Sequence, residues 1–421
     1  MKKLSLTVIG LYVLLLHAFS QNAAQDTVIY KSKPLALEEI SLVSSYYSQD
    51  GNHSAVTGGI GDEHVVDLSN GLDLKFVGWD QSHNKHTITT SMGFDHHTSA
   101  SSAYVSQTGA SKTAGTRVYP SLDWTIENEK GNSFGFGGYY STEYNYQSVG
   151  LDFHFTKKLS TNGELSAKFS GFFDKVKMIY PSELIPKSTV IVSTSPTYYT
   201  TASGRRVSLS GGGSSYNTHE DEIPSSPRNT FTGSLSYAQI INTRLQASVM
   251  LDVVSQSGYL GLPFHRVYFQ NGAVNVENLP STRLKIPIGA RLNYFIGDNV
   301  VVRSYFRYYQ DDWGISSQTA ELEIPIKISP FFSVSGFYRY YTQTASTYFG
   351  AYKTHTAADT YYSSNYSLSE LTSNFMGAGV HIAPPKGIFD SHLNALDIRY
   401  GHYTQSTDLS SNVLSFDFTF K

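Results

Sequence analysis

The chain has 421 residues, no cysteine and a formal net charge of −3 at pH 7. The lack of cysteine excludes disulfides, thiolate metal sites and cysteine nucleophiles, and the slightly acidic balance argues against a nucleic-acid binder. Tyrosine and phenylalanine are abundant, with 31 and 24 residues, whereas only 15% of residues are charged. This composition is typical of β-rich proteins, including barrels with aromatic girdles.

The N-terminus has the three parts of a secretory signal peptide. Two lysines precede an apolar run over residues 4–16, and small residues around Phe19 stand just before Gln21. The run is shorter than the roughly 20 residues that a membrane-spanning helix needs. We therefore predict a signal peptide over residues 1–20 and a short periplasmic segment over residues 21–35.

Sixteen segments of the remaining chain alternate apolar and polar residues, which is the pattern of half-buried strands. Turn-forming residues such as Asn, Asp, Gly and Pro separate them. The predicted strands are 36–48, 65–79, 85–97, 116–127, 132–142, 147–158, 164–177, 229–240, 244–256, 284–295, 300–311, 316–328, 331–344, 370–383, 392–405 and 410–421.

Long and short connections between these segments follow a regular pattern along the chain. If every second connection is placed on one side, every long loop falls on the other side, as in outer-membrane barrels with an even strand number. Long structureless loops would be unusual in a soluble sandwich. We therefore predict an all-β fold: a transmembrane, antiparallel, up-and-down β-barrel of about 16 strands (14–18) over residues 36–421, in the outer membrane of a Gram-negative bacterium. Long extracellular loops are predicted near residues 178–227, 258–283 and 345–369.

The last predicted strand alternates apolar and polar residues up to the C-terminus. Taken alone, this run fits either the edge of a soluble sandwich or the closing strand of a barrel. In the barrel, Leu414, Phe416, Phe418 and Phe420 face lipid, and the strand pairs with residues 36–48. Phe416, Phe418 and Phe420 are then candidates for the aromatic mark that the outer-membrane assembly machinery reads. The predicted partners are this machinery, lipid and lipopolysaccharide.

The same alternation places charged residues on the inner face of the predicted barrel. Tight turns are expected to bring Arg307 and Arg339 close to Glu321 on neighbouring strands. Such a charge ladder could select a solute by sign, or it could be a salt-bridge network that stiffens the wall, because the signs nearly cancel. The predicted ladder comprises Lys285, Arg291, Arg303, Arg307, Glu321, Glu323, Arg339, Asp397 and Arg399.

A second candidate site lies at the rim of the predicted barrel. Asp95 and His97 end one strand on its inner face and could supply two metal ligands or an acid–base pair. His53, His64 and His355 are expected on outer loops that could approach them. Alternatively, Asp95 and His97 are ordinary polar rim residues, and we assign no metal and no cofactor.

No motif predicts an enzyme. Residues 131–135 match the nucleophile-elbow pattern, but they open a β-strand after a tight turn, whereas that motif needs a strand, a turn and a helix. The sequence therefore contains no assigned catalytic residue. A hydrolase acting at the rim is the one enzymatic alternative, and it would need Asp95 or His97 close to a nucleophile.

Several stretches together resemble the large Gram-negative outer-membrane family catalogued as domain of unknown function 3570. The stretches are residues 44–51, 98–102, 258–268, 309–314, 339–343 and 399–403. The resemblance implies the fold and the location, but it supplies no activity, because the family has none established. Members of the family are often encoded beside a small lipoprotein, a thioredoxin-like protein and a flavin transferase. This implies an envelope redox or export assembly with a lipoprotein partner.

Two classes of function follow. The first is a channel, transporter or export conduit for an unidentified solute. The alternative is a non-conducting surface or envelope-assembly protein that binds partners through residues 258–268 or 345–369. The two classes differ in whether the lumen conducts.

Overall fold

The computed structural model describes residues 32–98, 115–184, 198–200, 206–208 and 224–421. The predicted signal peptide and most of the predicted loop 178–227 lie outside the described residues. Within those ranges, no helix combines the length and the apolar character needed to cross a membrane.

The structure is a closed antiparallel β-barrel of sixteen strands, which confirms the predicted fold class and strand number. Each barrel strand pairs with its two neighbours along the chain, and the last closes onto the first. The barrel strands are β1 (Lys33–Asp50), β2 (Val65–Trp79), β3 (Lys85–His97), β4 (Gly115–Glu127), β5 (Ser133–Thr142), β6 (Tyr146–Lys158), β7 (Gly163–Lys177), β10 (Ser225–Asn242), β11 (Leu245–Gly258), β14 (Thr282–Ile296), β15 (Val300–Asp311), β16 (Ser316–Ser329), β17 (Phe332–Gln343), β18 (Leu371–Ile382), β19 (Leu393–Gln405) and β20 (Leu409–Phe420).

The part of the chain that the structure describes also has two short hairpins outside the barrel sheet: β8 (Tyr198–Thr200) with β9 (Arg206–Ser208), and β12 (Arg266–Tyr268) with β13 (Val274–Val276). β1 begins three residues before the predicted strand 36–48. The predicted boundary between the periplasmic segment and the barrel is therefore slightly late.

The strands present apolar side chains to the outside and polar side chains to the inside. On β6, Leu151 and Phe153 are exposed on the outer face, whereas Asp152 between them points inward and is buried. The same alternation runs through the register pairs of β5, β6, β7 and β10. An exposed apolar belt around a closed sheet suits a lipid environment, because closure lets each strand pair its backbone donors and acceptors with those of two neighbours.

The closing strand pairs with the first strand as predicted. Phe418 lies opposite Leu42 and Leu414 lies opposite Tyr46, so their apolar side chains share the outer face. The rings of Phe416 and Phe418 stack, with centroids 6.4 Å apart. This seam leaves no free sheet edge.

Tight turns connect the strands at the end of the barrel that carries Lys33 and Lys421. The β4–β5 turn shows how the sequence forms one: the Asn128 side-chain oxygen accepts hydrogen bonds from the backbone N–H groups of Lys130 and Asn132, and Gly131 supplies a φ of 74°. The longest connection at this end is 383–392. The opposite end, called the loop end here, carries the long connections.

Candidate functional site

Three loops cover the loop end of the barrel: residues 51–64, 259–281 and 344–370, which we call the loop cap. They follow β1, β11 and β17. In the closed sheet, the first two emerge eight strands apart, on opposite sides of a sixteen-stranded barrel. A contact between them must therefore reach across the mouth.

Such contacts are present. The guanidinium of Arg266 in loop 259–281 donates to the backbone oxygen of Val56 in loop 51–64, with an N–O distance of 2.7 Å. Arg266 is buried and also pairs with Glu183. The ring of His53 stacks on that of Tyr366 in loop 344–370, with centroids 3.8 Å apart. Loop segments from both sides of the barrel thus join above the lumen.

Backbone geometry supports this close approach. Gly59 has a φ of 82°, and a Cβ at this position would lie 2.6 Å from the backbone oxygen of Ser364. Only glycine fits both constraints. Loop 259–281 is tied to loop 344–370 by two backbone hydrogen bonds between Asn278 and Tyr362, of 3.1 and 2.7 Å.

The loop cap has a core of its own. Trp313 and Ile315, in the turn between β15 and β16, pack with Leu368 of the cap, and all three are buried. The Asp311 side-chain oxygen accepts from the N–H groups of Trp313 and Ile315, both at 3.0 Å. A loop region with a packed core is expected to resist local opening, because local stability follows buried apolar contact.

A buried carboxylate joins the parts of the cap. Glu277 accepts hydrogen bonds from the Ser363 hydroxyl and the Leu262 backbone N–H, and His265 Nδ1 lies 3.4 Å from its Oε2. Burial acts to raise the pKa of Glu277, but the partners His265 and Ser363 outweigh it and hold that pKa below its ordinary value. The ionised carboxylate therefore stabilises the cap.

This gives a prediction for pH dependence. Because the folded pKa of Glu277 lies below the ordinary 4.5, its stabilisation is fully present above that value and is lost as pH falls through the folded pKa. The protection of residues 263–278 against hydrogen exchange, taken relative to the intrinsic exchange rate at each pH, should fall on acidification below this range. Burial raises the pKa of the nearby Glu63, so protonation of Glu63 in acid stabilises the folded cap, which is the opposite effect. The wild type must therefore be compared with E277Q. The variant should exchange faster at neutral pH and respond less to acid; an identical acid response in both proteins would contradict the assignment.

The predicted charge ladder lies on the inner face of β14–β19. Arg339 lies directly opposite Glu321 and forms an ion pair of 2.7 Å. Arg303 and Arg399 both pair with Glu323, at 3.5 and 3.1 Å. Arg399 reaches Glu323 across two intervening strands by lying over the Phe337 ring, 4.0 Å from its centroid.

Other members of the ladder are placed differently. Arg307 lies opposite Thr319, so its predicted closeness to Glu321 is only diagonal. No ion pair forms between them among the described residues, because Arg339 takes the carboxylate, and Arg307 Nε is buried without a hydrogen-bond partner. Asp397 pairs with His381 at 2.8 Å.

Within the described ranges, Arg291 and Lys285 of the ladder form no ion pair with a carboxylate. The Arg291 guanidinium lies over the ring of Tyr305, 5.5 Å from its centroid, and Lys285 is opposite Asp311 in the sheet. The Asp311 carboxylate binds Arg283 instead.

The candidate rim residues have separate partners. Asp95 accepts from the Tyr119 hydroxyl at 2.7 Å, and His97 Nε2 lies 2.8 Å from Glu143. The three histidines expected to approach them pair elsewhere: His53 with Tyr366, His64 with Asp50 and His355 with Asp359. The described residues therefore assemble no acid–base–nucleophile set at this rim.

A cluster of two aspartates and one histidine lies on β4 and β6 and is absent from the predicted sites. Oxygens of Asp123 and Asp152 and Nδ1 of His154 lie within 4.8 Å of one another on the inner face. These three atoms could hold a metal ion, but the Lys168 ammonium lies 3.3 Å from Asp152 and already supplies a positive charge. The period-two pattern placed all four on the inner face and was the signal that could have found them.

No curated protein matches the chain. Among solved structures, the chain is similar to the Pseudomonas aeruginosa proteins OccD3 (OpdP), with 8% identity, TM-score 0.42 and coverage of 94% of this chain and 93% of that one, and the outer membrane protein OprD, with 9%, 0.41, 94% and 96%. A bacterial polysaccharide outer membrane secretin matches with 9% identity, TM-score 0.43 and coverage of 91% and 98%. At these TM-scores, the matches carry no argument about function.

The family comparison is specific. The model of the family described as protein of unknown function (DUF3570) matches residues 29–412. This range covers every barrel strand from β1 to β19, the beginning of β20, and all three loops of the cap. The chain therefore belongs to the DUF3570 family.

Proposed function

We propose that this protein is a channel in the outer membrane of a Gram-negative bacterium, with a hydrated lumen and a loop cap that gates it. The location rests on the apolar outer belt and the closed sheet. The observation that carries the channel is the solvent exposure of charged side chains on the inner face. Arg303 and Arg339 point into the barrel, yet their side chains are 52% and 47% exposed. A lumen filled by protein would bury them.

The loop cap supports gating. It joins loops from opposite sides of the mouth, and the contacts between these loops include the hydrogen bond from the buried Arg266 to the Val56 oxygen. A gate needs two arrangements of one element with different access to the lumen. Opening then requires release of the hydrogen bond between Arg266 and Val56, and hydrogen bonds to charged groups contribute about 1.5–3 kcal/mol.

Planar-bilayer conductance tests this proposal. We expect discrete channel openings from the purified wild type and a higher open probability from R266A, which loses the ties to Val56 and Glu183. R244A is the matched control, since Arg244 is an exposed arginine in the turn between β10 and β11 at the other end of the barrel. Absence of conductance in both the wild type and R266A would overturn the channel.

A non-conducting surface or envelope-assembly protein is the second candidate, and the packed loop cap favours it. A core that includes Trp313 and Leu368 gives a fixed surface for an envelope lipoprotein or another partner. This function predicts that R266A remains closed and that envelope proteins co-purify. In either case, we propose that Phe416, Phe418 and Phe420 at the closing seam are read by the assembly machinery.

A further inference from the structure

We infer that the lumen selects zwitterionic solutes, which carry an anionic and a cationic group at opposite ends. This inference rests on the proposed channel. Its basis is a separation of charge between two walls of the barrel. The walls are defined by strands: the acidic wall is the inner face of β2–β7, and the basic wall is the inner face of β14–β17.

The two walls have opposite formal charge. The inner positions of β2–β7 hold eight acidic and five basic residues, whereas those of β14–β17 hold seven basic and three acidic residues. The acidic wall therefore sums to −3 and the basic wall to +4. The acidic residues of the first wall are Asp67, Asp73, Asp95, Asp123, Glu127, Asp152, Glu164 and Asp174, and the basic residues of the second are Arg283, Lys285, Arg291, Arg303, Arg307, Lys327 and Arg339.

The walls face each other across the lumen. In the closed order of sixteen strands, the centre of β2–β7 and the centre of β14–β17 are seven strands apart, close to the eight that separate opposite sides. On one side of the ring, the strands between the walls are β10 and β11, whose inner-face charges Arg228 and Asp252 cancel. On the other side they are β18, β19, β20 and β1, which carry charges of both signs, including Asp397, Arg399 and Asp417. The charge separation thus runs across the lumen.

Unpaired charges mark each wall. Asp73 on β2 is exposed on the inner face, and no described cation lies within 4.0 Å of its carboxylate. Its sheet neighbours are Ser41 and Ser91, whose small side chains leave the carboxylate open to the lumen. It is therefore available to a cationic group of a solute.

On the basic wall, two arginines, Arg291 and Arg307, are available to an anionic group of a solute. Arg291 is exposed, and Arg307 has a buried Nε without a hydrogen-bond partner. Neither guanidinium has a described carboxylate within 4.0 Å. They are diagonal neighbours, because Arg291 lies opposite Tyr305 and Arg307 opposite Gly289. Two adjacent guanidinium groups on one wall suit a carboxylate or another planar anion.

A transverse field favours a solute that can align with it. A zwitterion gains attraction at both walls, whereas an anion or a cation of the same size gains at one wall and is repelled by the other. The low-dielectric barrel wall focuses such fields in the water between. We therefore expect transport to depend on charge arrangement more than on net charge.

Four peptides of nearly equal size test this inference: triglycine, N-acetyl-triglycine, triglycine amide and N-acetyl-triglycine amide, which are a zwitterion, an anion, a cation and a neutral solute. Flux into proteoliposomes is measured for the full mature chain and in the R266A background, so that the cap does not limit transport. We expect triglycine to pass about fivefold faster than each of the other peptides, a ratio that a modest difference in interaction free energy produces.

Two lumen variants and one control complete the test. R291Q/R307Q and, separately, D73N should remove most of the preference for triglycine, and R291Q/R307Q should shift the bilayer reversal potential toward cation selectivity. K157Q/K175Q removes two positive charges from the outer faces of β6 and β7 and should change neither. If R291Q/R307Q does not fold, D73N still tests the inference.

The outcomes separate the inference from the function on which it rests. Conductance with equal flux of the four peptides would overturn zwitterion selection and leave the channel intact. Preserved preference in both lumen variants would also overturn it. Absence of conductance and flux in all proteins would overturn the channel and the inference together.

Discussion

Oxidation of the double variant H53C/Y366C is expected to lock the barrel shut and to abolish its conductance until a reductant is added. The two native rings stack with centroids 3.8 Å apart and an interplanar angle of 12°, so the two loops are in contact at these positions. They belong to loops 51–64 and 344–370, which leave the barrel wall four strands apart. A covalent link between them prevents the separation that opening of the mouth requires.

Because the native chain has no cysteine, a disulfide within the variant can form only between the two introduced residues. Bilayer conductance is recorded before oxidation, after oxidation and after reduction. A351C/T354C is the control pair: both residues lie in loop 344–370, where the Thr354 N–H donates to the Ala351 oxygen, so their link stays within one loop. Unchanged conductance in oxidised H53C/Y366C would show that the cap is not the gate.

The barrel could be predicted from sequence because its main signal is local. Alternation within each strand and turn residues between strands are readable without the partner strand. The turn at Pro330 is short enough to fix the register, which places Glu321 opposite Arg339 as expected. Around Trp313, the Asp311 side chain binds two backbone N–H groups and shapes the turn. For this turn, the sequence alone could not show whether Glu321 lies directly opposite Arg307 or diagonally from it.

The loop cap could not be predicted, because its contacts depend on closure of the whole sheet. Val56 and Arg266 are 210 residues apart in sequence, and only the order of sixteen strands places their loops on opposite sides of one mouth. The opposed walls were missed for the same reason. Alternation assigns Asp73 and Arg291 to the inner face, but it does not show that these strands face each other.

The membrane location itself is tested by two adjacent substitutions on β10. Leu235 and Ser234 lie at the middle of Ser225–Asn242, with Leu235 on the outer face and 47% exposed. An arginine on the lipid face at the bilayer midplane of a barrel costs about 2–4 kcal/mol. We therefore expect L235R to lower the free energy of unfolding in lipid vesicles by about this amount.

S234R is the matched variant, since it adds the same side chain one residue away. Ser234 faces the lumen and lies opposite Lys168 and Asp252 in the sheet, so its arginine stays hydrated beside an acidic neighbour. Its unfolding free energy should remain within about 0.5 kcal/mol of wild type, as for ordinary exposed sites. Equal losses in both variants would mean that the two faces meet the same solvent. A large loss in L235R alone requires lipid outside and water inside, which is the arrangement that a channel needs.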